Sequence, residues 1–227
     1  ATAFAQELGK LSDLDGIALL APDVPPVKLA INELVRAGVH VVTLFSDVPG
    51  SLRETAIGAD NRAAGRTAGL LLARSLPRIS PARCAVLSPA TRYAAEIDRR
   101  IGFQQVVEER FAQAEVLRLF ELPESEDGAY AYARESLPTA ASAECIHALY
   151  NVGPGSFGVA RALAELGYPP DLMFAAHDLL EMHRAMLING SLAYVLHQDV
   201  HYAVTAAGRA LAISNPRVEI LTSENLA

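Results

Sequence analysis

Short, mainly apolar runs recur along this chain, and a segment with helical periodicity separates each from the next. The runs are Ile17–Leu20, Val39–Leu44, Cys84–Leu87, Val116–Leu119, Cys145–Tyr150, Leu172–Ala176 and Ala193–Leu196, with a short apolar tail at Val218–Leu221. A run without polar alternation reads as a strand buried on both faces, as in a parallel sheet covered by helices. The intervening segments supply those helices. Val27, Ile31, Leu34 and Val35 fall at i, i+4, i+7 and i+8, and Ala64, Ala68, Leu71 and Leu72 line one side of Arg62–Ser75. Further helices are expected at Ala1–Leu11, Ala94–Arg110, Ala129–Leu137, around Val159–Leu166, at Leu179–Ile188 and at Asp199–Ile213. About seven strands alternating with about eight helices predict an α/β, doubly wound fold with right-handed crossovers.

The stretch from Val39 to Ala68 organises the rest. Its strand ends abruptly in Ser46-Asp47, the chain then runs extended through Pro49–Ala59, and Asp60 or Asn61 caps the helix beginning near Arg62. A strand, a polar tip, a long crossing and a capped helix suggest a passage between two lobes. The expected division is 1–58 for an N-terminal lobe, 59–197 for a C-terminal lobe, and 198–227 for a return to the first lobe and a tail. Only two clear strands precede Ala59, against the roughly five to six of an average sheet. The N-terminal lobe is therefore expected to be incomplete.

At 227 residues the chain is long enough to bury one large core or two small ones. Its net charge of −7 argues against the chain itself gripping nucleic acid or an anionic membrane. No apolar stretch approaches the roughly 20 residues that span a bilayer. Cys84 and Cys145 each open an apolar run, which places both on predicted buried strands. They read as small core residues before they read as a disulfide or redox pair.

Chemistry concentrates where the predicted strands end. Ser46, Asp47, Tyr93, Asn151, Asp178 and Gln198 stand at or just beyond these tips, and Arg99 lies one turn into its helix. In open α/β sheets, ligands bind at the carboxyl ends of strands. Carboxylates, planar amides and guanidinium groups have a fixed fork geometry that bonds two neighbouring hydroxyls at once. A sugar or polyol presents such hydroxyls on its rim and an apolar C–H face, for which Tyr93 and Phe157 are the aromatic candidates. Each residue alone reads first as a strand-end cap or surface polar group; the case rests on the same chemistry recurring at successive tips.

The segments DGIALLAPD, VVTLFSD, GADNRAAGRTAG, IDRRIGFQQVV, LYNVGPGSFGVARAL, AAHD and HQDVHYAVTAAGRAL resemble, in that order, the ligand-binding core of lactose-repressor-type (LacI-type) bacterial transcription regulators. That core is similar to the ribose/galactose-type periplasmic binding proteins. The resemblance implies a periplasmic-binding-protein type I fold: two Rossmann-like doubly wound lobes joined by a multi-strand hinge and closing over a sugar. It implies ligand contacts from Ser46 or Asp47, Arg99, Asn151, Asp178 and Gln198, and places Asp60 and Asn61 at the first hinge crossing. The family's first strand, first helix, second strand and basic DNA-binding headpiece have no counterpart in this chain.

The function so implied is a cytoplasmic sugar-sensing effector domain. Closure over the ligand would alter the geometry of a homodimer, and DNA would be engaged only through a separate headpiece. The alternative is the periplasmic solute-binding protein of a sugar ABC transporter. Neither reading is enzymatic, and neither calls for a cofactor or metal. Gly153–Gly158 is glycine-rich after a predicted strand but carries no P-loop lysine, no GxSxG elbow is present, and His177-Asp178 has no nucleophile partner in sequence. His197 and His201 stand four apart without a third ligand at informative spacing.

Overall fold

Parallel pairing joins the two apolar runs nearest the N-terminus, with Ile17 opposite Val41 and Leu19 opposite Thr43. A computed structural model describes residues 2–79, 81–90, 92–212 and 218–221. The chain runs α1 (Thr2–Leu8), β1 (Gly16–Leu19), α2 (Pro25–Arg36), β2 (His40–Leu44), β3 (Thr55–Ile57), α3 (Asn61–Arg74), β4 (Ala82–Pro89), α4 (Ala94–Arg110) and β5 (Ala114–Leu122). It continues through α5 (Glu126–Ser136), β6 (Ala148–Asn151), α6 (Ser156–Glu165), β7 (Met173–His177), α7 (Glu181–Ile188), β8 (Tyr194–Leu196), α8 (Val200–Ala210) and β9 (Val218–Leu221). Expected helix ends at Ala1 and Ile213, and Thr91 of the polar loop after β4, lie outside the described residues.

Two compact units result, one of residues 1–59, 92–95 and 199–227, the other of 60–91 and 96–198. The first holds a parallel sheet in the order β3-β2-β1-β9. Ile17, Leu19 and Val41 pack with Leu8, Val27, Ile31 and Leu34 from α1 and α2. Ala18, Val42 and Leu44, pointing the other way, pack with Ala203, Ala207 and Leu211. The apolar tail at Val218–Leu221 is a strand beside β1, and the stretch expected to run extended, Pro49–Ala59, contains β3 on the far side of β2.

The second unit is a five-stranded parallel sheet in the order β5-β4-β6-β7-β8. Cys84 and Val86 of β4 face Phe103 and Val106 of α4, while Ala85 and Leu87 face the α5–α6 layer with Ala129 and Ala162. Helices thus cover both faces, as the mainly apolar runs require. The sheet grows outward in both directions from the β4/β6 pair, and that reversal opens a crevice at the carboxyl ends of the strands.

Two glycines set the spacing of α3 and α4. A Cβ on Gly65 would lie 1.9 Å from the Arg99 carbonyl oxygen, and one on Gly102 would lie 2.1 Å from the Arg62 carbonyl oxygen. The helix backbones approach so closely that no side chain fits between them. This contact fixes the start of α4, and with it Arg99.

The cysteine placement needs one correction. Cys84 is buried on β4, but pairing of β6 begins only at Ala148, so half-buried Cys145 precedes the strand instead of opening it. His147 donates its backbone N–H to the Arg83 carbonyl, which holds the approach to β6 without strand pairing at Cys145. Both thiols are free.

Candidate functional site

Polar groups of the second unit gather at the carboxyl ends of β6, β7 and β8. Arg99 is 5% exposed, far below what an unpaired guanidinium tolerates. Its Nε donates to Asn61 Oδ1 at 2.8 Å and its Nη1 to the Val152 carbonyl at 3.1 Å. Asp60 accepts from the Ala63 N–H at 2.9 Å and so caps α3, leaving the next residue, Asn61, to hold Arg99.

Asn151 ends β6 and is fully buried. Its Nδ2 donates to the Pro154 carbonyl at 2.8 Å and to Ser156 Oγ at 3.0 Å. Those bonds brace the turn that enters α6 through Gly155, whose φ of +86° suits glycine. In this geometry Asn151 shapes the turn beside the site.

At the end of β7, His177 pairs through Nε2 with the buried Tyr150 hydroxyl, while its Nδ1 is buried without a partner. Burial, with the nearby Arg99 charge, pushes the imidazole pKa down to about 2, so the ring is neutral. Asp178 follows with φ of +61°, a left-handed conformation uncommon outside glycine, although Asp tolerates it better than most. Four bonds hold it there. Its N–H donates to Leu196 O at 2.9 Å, its carbonyl accepts from the Leu180 N–H at 2.9 Å and from His183 Nδ1, and its Oδ1 accepts from Gln198 Nε2 at 3.1 Å. Gln198 Oε1 is buried and has no partner.

Arg99, His177 and Asp178 border a recess of about 250 Å³ whose walls also include Glu96, Gly153, Leu180 and Met182. Burial pushes the Glu96 pKa up to about 7, with Arg99 opposing and Glu124 reinforcing the shift. Leu180 and Met182 add exposed apolar surface. The recess therefore offers acceptors, a guanidinium and an apolar patch within the volume of one small molecule.

Of the residues singled out in sequence, Arg99, Asn151, Phe157, Asp178 and Gln198 belong to this unit. Arg99 and Asp178 line the recess and Gln198 is bonded to Asp178; Phe157 stands 45% exposed on α6 and is not part of that lining. Ser46, Asp47 and Tyr93 belong to the other unit. There, buried Ser46 accepts from the Ala95 N–H at 3.2 Å. Asp47 is heavily engaged. Arg53 reaches it with Nε at 2.6 Å and Nη2 at 2.5 Å, Thr43 Oγ1 donates at 3.0 Å and the Val48 N–H at 2.7 Å. Sequence reasoning passed over Glu96, Leu180 and Met182. Glu96 had one signal, its i, i+3 spacing to Arg99, which puts both on one helical face. Among the described residues no His, Cys, Asp and Glu cluster suits a metal ion, and no helix is long and apolar enough to cross a membrane.

Residues 3–213 match the family described as periplasmic binding protein domain. No curated protein matches the chain. Among solved structures, a glucose-galactose binding protein from Geobacillus stearothermophilus is 22% identical at a TM-score of 0.79, with 95% of this chain and 78% of that one covered. An ABC transporter solute binding protein from Burkholderia graminis C4D1M, in complex with D-arabinose, is 19% identical at a TM-score of 0.82, covering 98% and 81%. The periplasmic component of an ABC-type sugar transport system from Hahella chejuensis is 19% identical at 0.79, covering 95% and 80%. At these identities the likeness is one of fold.

Proposed function

Since the chain belongs to the periplasmic binding protein domain family, we propose that it binds a sugar or polyol without turning it over, as the solute-binding component of a sugar ABC transporter. The observation that carries this reading is the Asp178–Gln198 pair, which holds a buried, unpartnered amide oxygen beside a recess bordered by Arg99. Planar forks around a rim and the apolar side chains of Leu180 and Met182 suit a ring bearing adjacent hydroxyls. The transporter assignment draws support from fold neighbours described as ABC transporter or ABC-type sugar-transport components. Under it the protein works outside the cytoplasmic membrane.

A second reading keeps the ligand and changes the partner. The ordered segments from DGIALLAPD to HQDVHYAVTAAGRAL favour a LacI-type effector domain, a cytoplasmic homodimer acting on DNA through a headpiece. The coding sequence upstream of Ala1 separates the two, since a secretory leader specifies the transporter component and a helix-turn-helix the regulator.

The shared claim is tested by thermal denaturation with a panel of pentoses, hexoses and polyols. A ligand at a hundredfold excess over Kd stabilises by about 2.7 kcal/mol, or roughly 5–10 °C for a chain of this size. A panel in which nothing moves Tm sinks the sugar-binding reading.

A further inference from the structure

We propose that Glu96 is a ligand contact that sets which sugars bind: its carboxylate accepts a hydrogen bond from a hydroxyl or amino group and turns away sugars carrying a phosphate or carboxylate at that position. The inference rests on the sugar-binding reading and gives it a chemical class.

Glu96 lies one turn before Arg99 on α4 and lines the same recess as His177 and Asp178. The recess is shaped to admit its carboxylate, since a Cβ on Gly153 would stand only 3.0 Å from Glu96 Oε1. Among the described residues no hydrogen bond reaches that carboxylate, and Arg99 spends Nε and Nη1 on Asn61 and Val152. A second feature of the same wall points to a ligand. His177 is 4% exposed, its Nδ1 has no partner, and an orphaned buried nitrogen is costly unless something bonds it.

The charges facing Glu96 decide the sign of the ligand. Arg99 comes from its own helix, Glu124 and Glu126 from the approach to and start of α5, His177 and Asp178 from the end of β7, and His183 from α7. Glu126 is engaged with the Gly158 N–H at 2.7 Å, and the His177 ring is neutral. Carboxylates thus outnumber the guanidinium, and an anionic substituent meets net repulsion. A donor, by contrast, bonds the charged form of Glu96. With its pKa raised to about 7, such a bond draws the proton off, so binding releases a proton and tightens as pH rises from 6 to 8.

Calorimetry on the full chain tests this with D-arabinose, D-glucose and D-galactose, the 6-phosphates and uronates of the two hexoses, and buffers of different ionisation enthalpy. The expected result is a neutral sugar whose Kd falls several-fold between pH 6 and 8 with proton release. Glu96→Gln removes both effects without lowering the Tm of the free protein, and the acidic derivatives bind at least tenfold more weakly. Neutral-sugar binding that ignores pH, proton release that persists in Glu96→Gln, or acidic derivatives binding as tightly as their parents each overturns the role of Glu96 while the sugar reading stands. If neither these probes nor the wider panel bind, the sugar reading itself has failed.

Discussion

Gln198 Nε2 donates to Asp178 Oδ1 across 3.1 Å, although the two residues are separated by a helix and a strand. The bond does two things. It orients the amide so that Oε1 is presented buried and unpartnered, and it steadies an aspartate held at φ of +61°. A polar pair of this kind is pre-organised for a hydroxyl and unsatisfied without one.

Asp178→Asn tests the charge while keeping a residue that tolerates the left-handed backbone. Losing a charge-assisted bond costs about 1.5–3 kcal/mol, tenfold or more in affinity. The sugar-induced rise in Tm should therefore shrink sharply while the Tm of the free protein moves little. A variant that keeps the full ligand response removes Asp178 from the site.

Asp47 leads to a prediction of the opposite kind, because its oxygens are already taken. Hydrogen bonding from Arg53 holds its carboxyl below the usual carboxylate range; burial opposes this, and Thr43 and the Val48 N–H add to it. With the folded pKa depressed, the stabilisation is complete above the unfolded value of about 3.9 and disappears as pH falls through the lower folded value. Arg53→Ala should cost roughly 1–2 kcal/mol at pH 7, less than a fully buried pair because both side chains remain partly exposed. Urea denaturation at pH 7 and pH 3 checks it, and the gap between wild type and variant should narrow at the lower pH.

Much of the fold could be read in advance because buried parallel strands leave a mainly apolar run. Where pairing depends on something other than hydrophobicity, the pattern was silent. β4 extends past Leu87 through Ser88 and Pro89, because β5 pairs with it across a shift in register. β3 is three residues long and only partly buried, so Thr55–Ile57 carried no strand signal of its own. The site divides in the same way. Asp178 and Gln198 stood out as polar residues at strand ends. The Tyr150–His177 pair bridges 27 residues, and the second bond that makes Asn151 a brace for its turn needs Ser156 placed in space. Nor does spacing reveal that the Glu96 carboxylate is half-buried.

The α3–α4 contact ties a packing detail to ligand binding. Gly65→Ala places a methyl group 1.9 Å from the Arg99 carbonyl oxygen, backbone that no rotamer change can move. Overpacking of this sort typically costs about 1–3 kcal/mol. The helices must separate, and Arg99 is carried away from Asn61 and Val152. Both the Tm of the free protein and the sugar-induced shift should fall together, whereas Asp178→Asn affects mainly the second. Gly208→Ala, in α8 where a Cβ meets nothing within 4 Å, is the control and should leave Tm unchanged or slightly raised.

His177 makes the stability of the second unit sensitive to acid. Its folded pKa, lowered to about 2 by burial and by Arg99, lies well beneath the unfolded value of about 6.5. Between those limits the unfolded chain binds a proton that the folded chain refuses. Stability is therefore complete above about pH 6.5 and is lost progressively as pH falls towards 2, with a slope approaching about 1.4 kcal/mol per pH unit. His177→Gln removes the titrating group while keeping a side chain able to meet the Tyr150 hydroxyl. In urea titrations at pH 7, 6 and 5, the wild type should lose more stability over the series than the variant, although the variant starts lower. Parallel losses in the two proteins would mean that the imidazole accepts a proton without unfolding, which the burial around Tyr150 and Arg99 forbids.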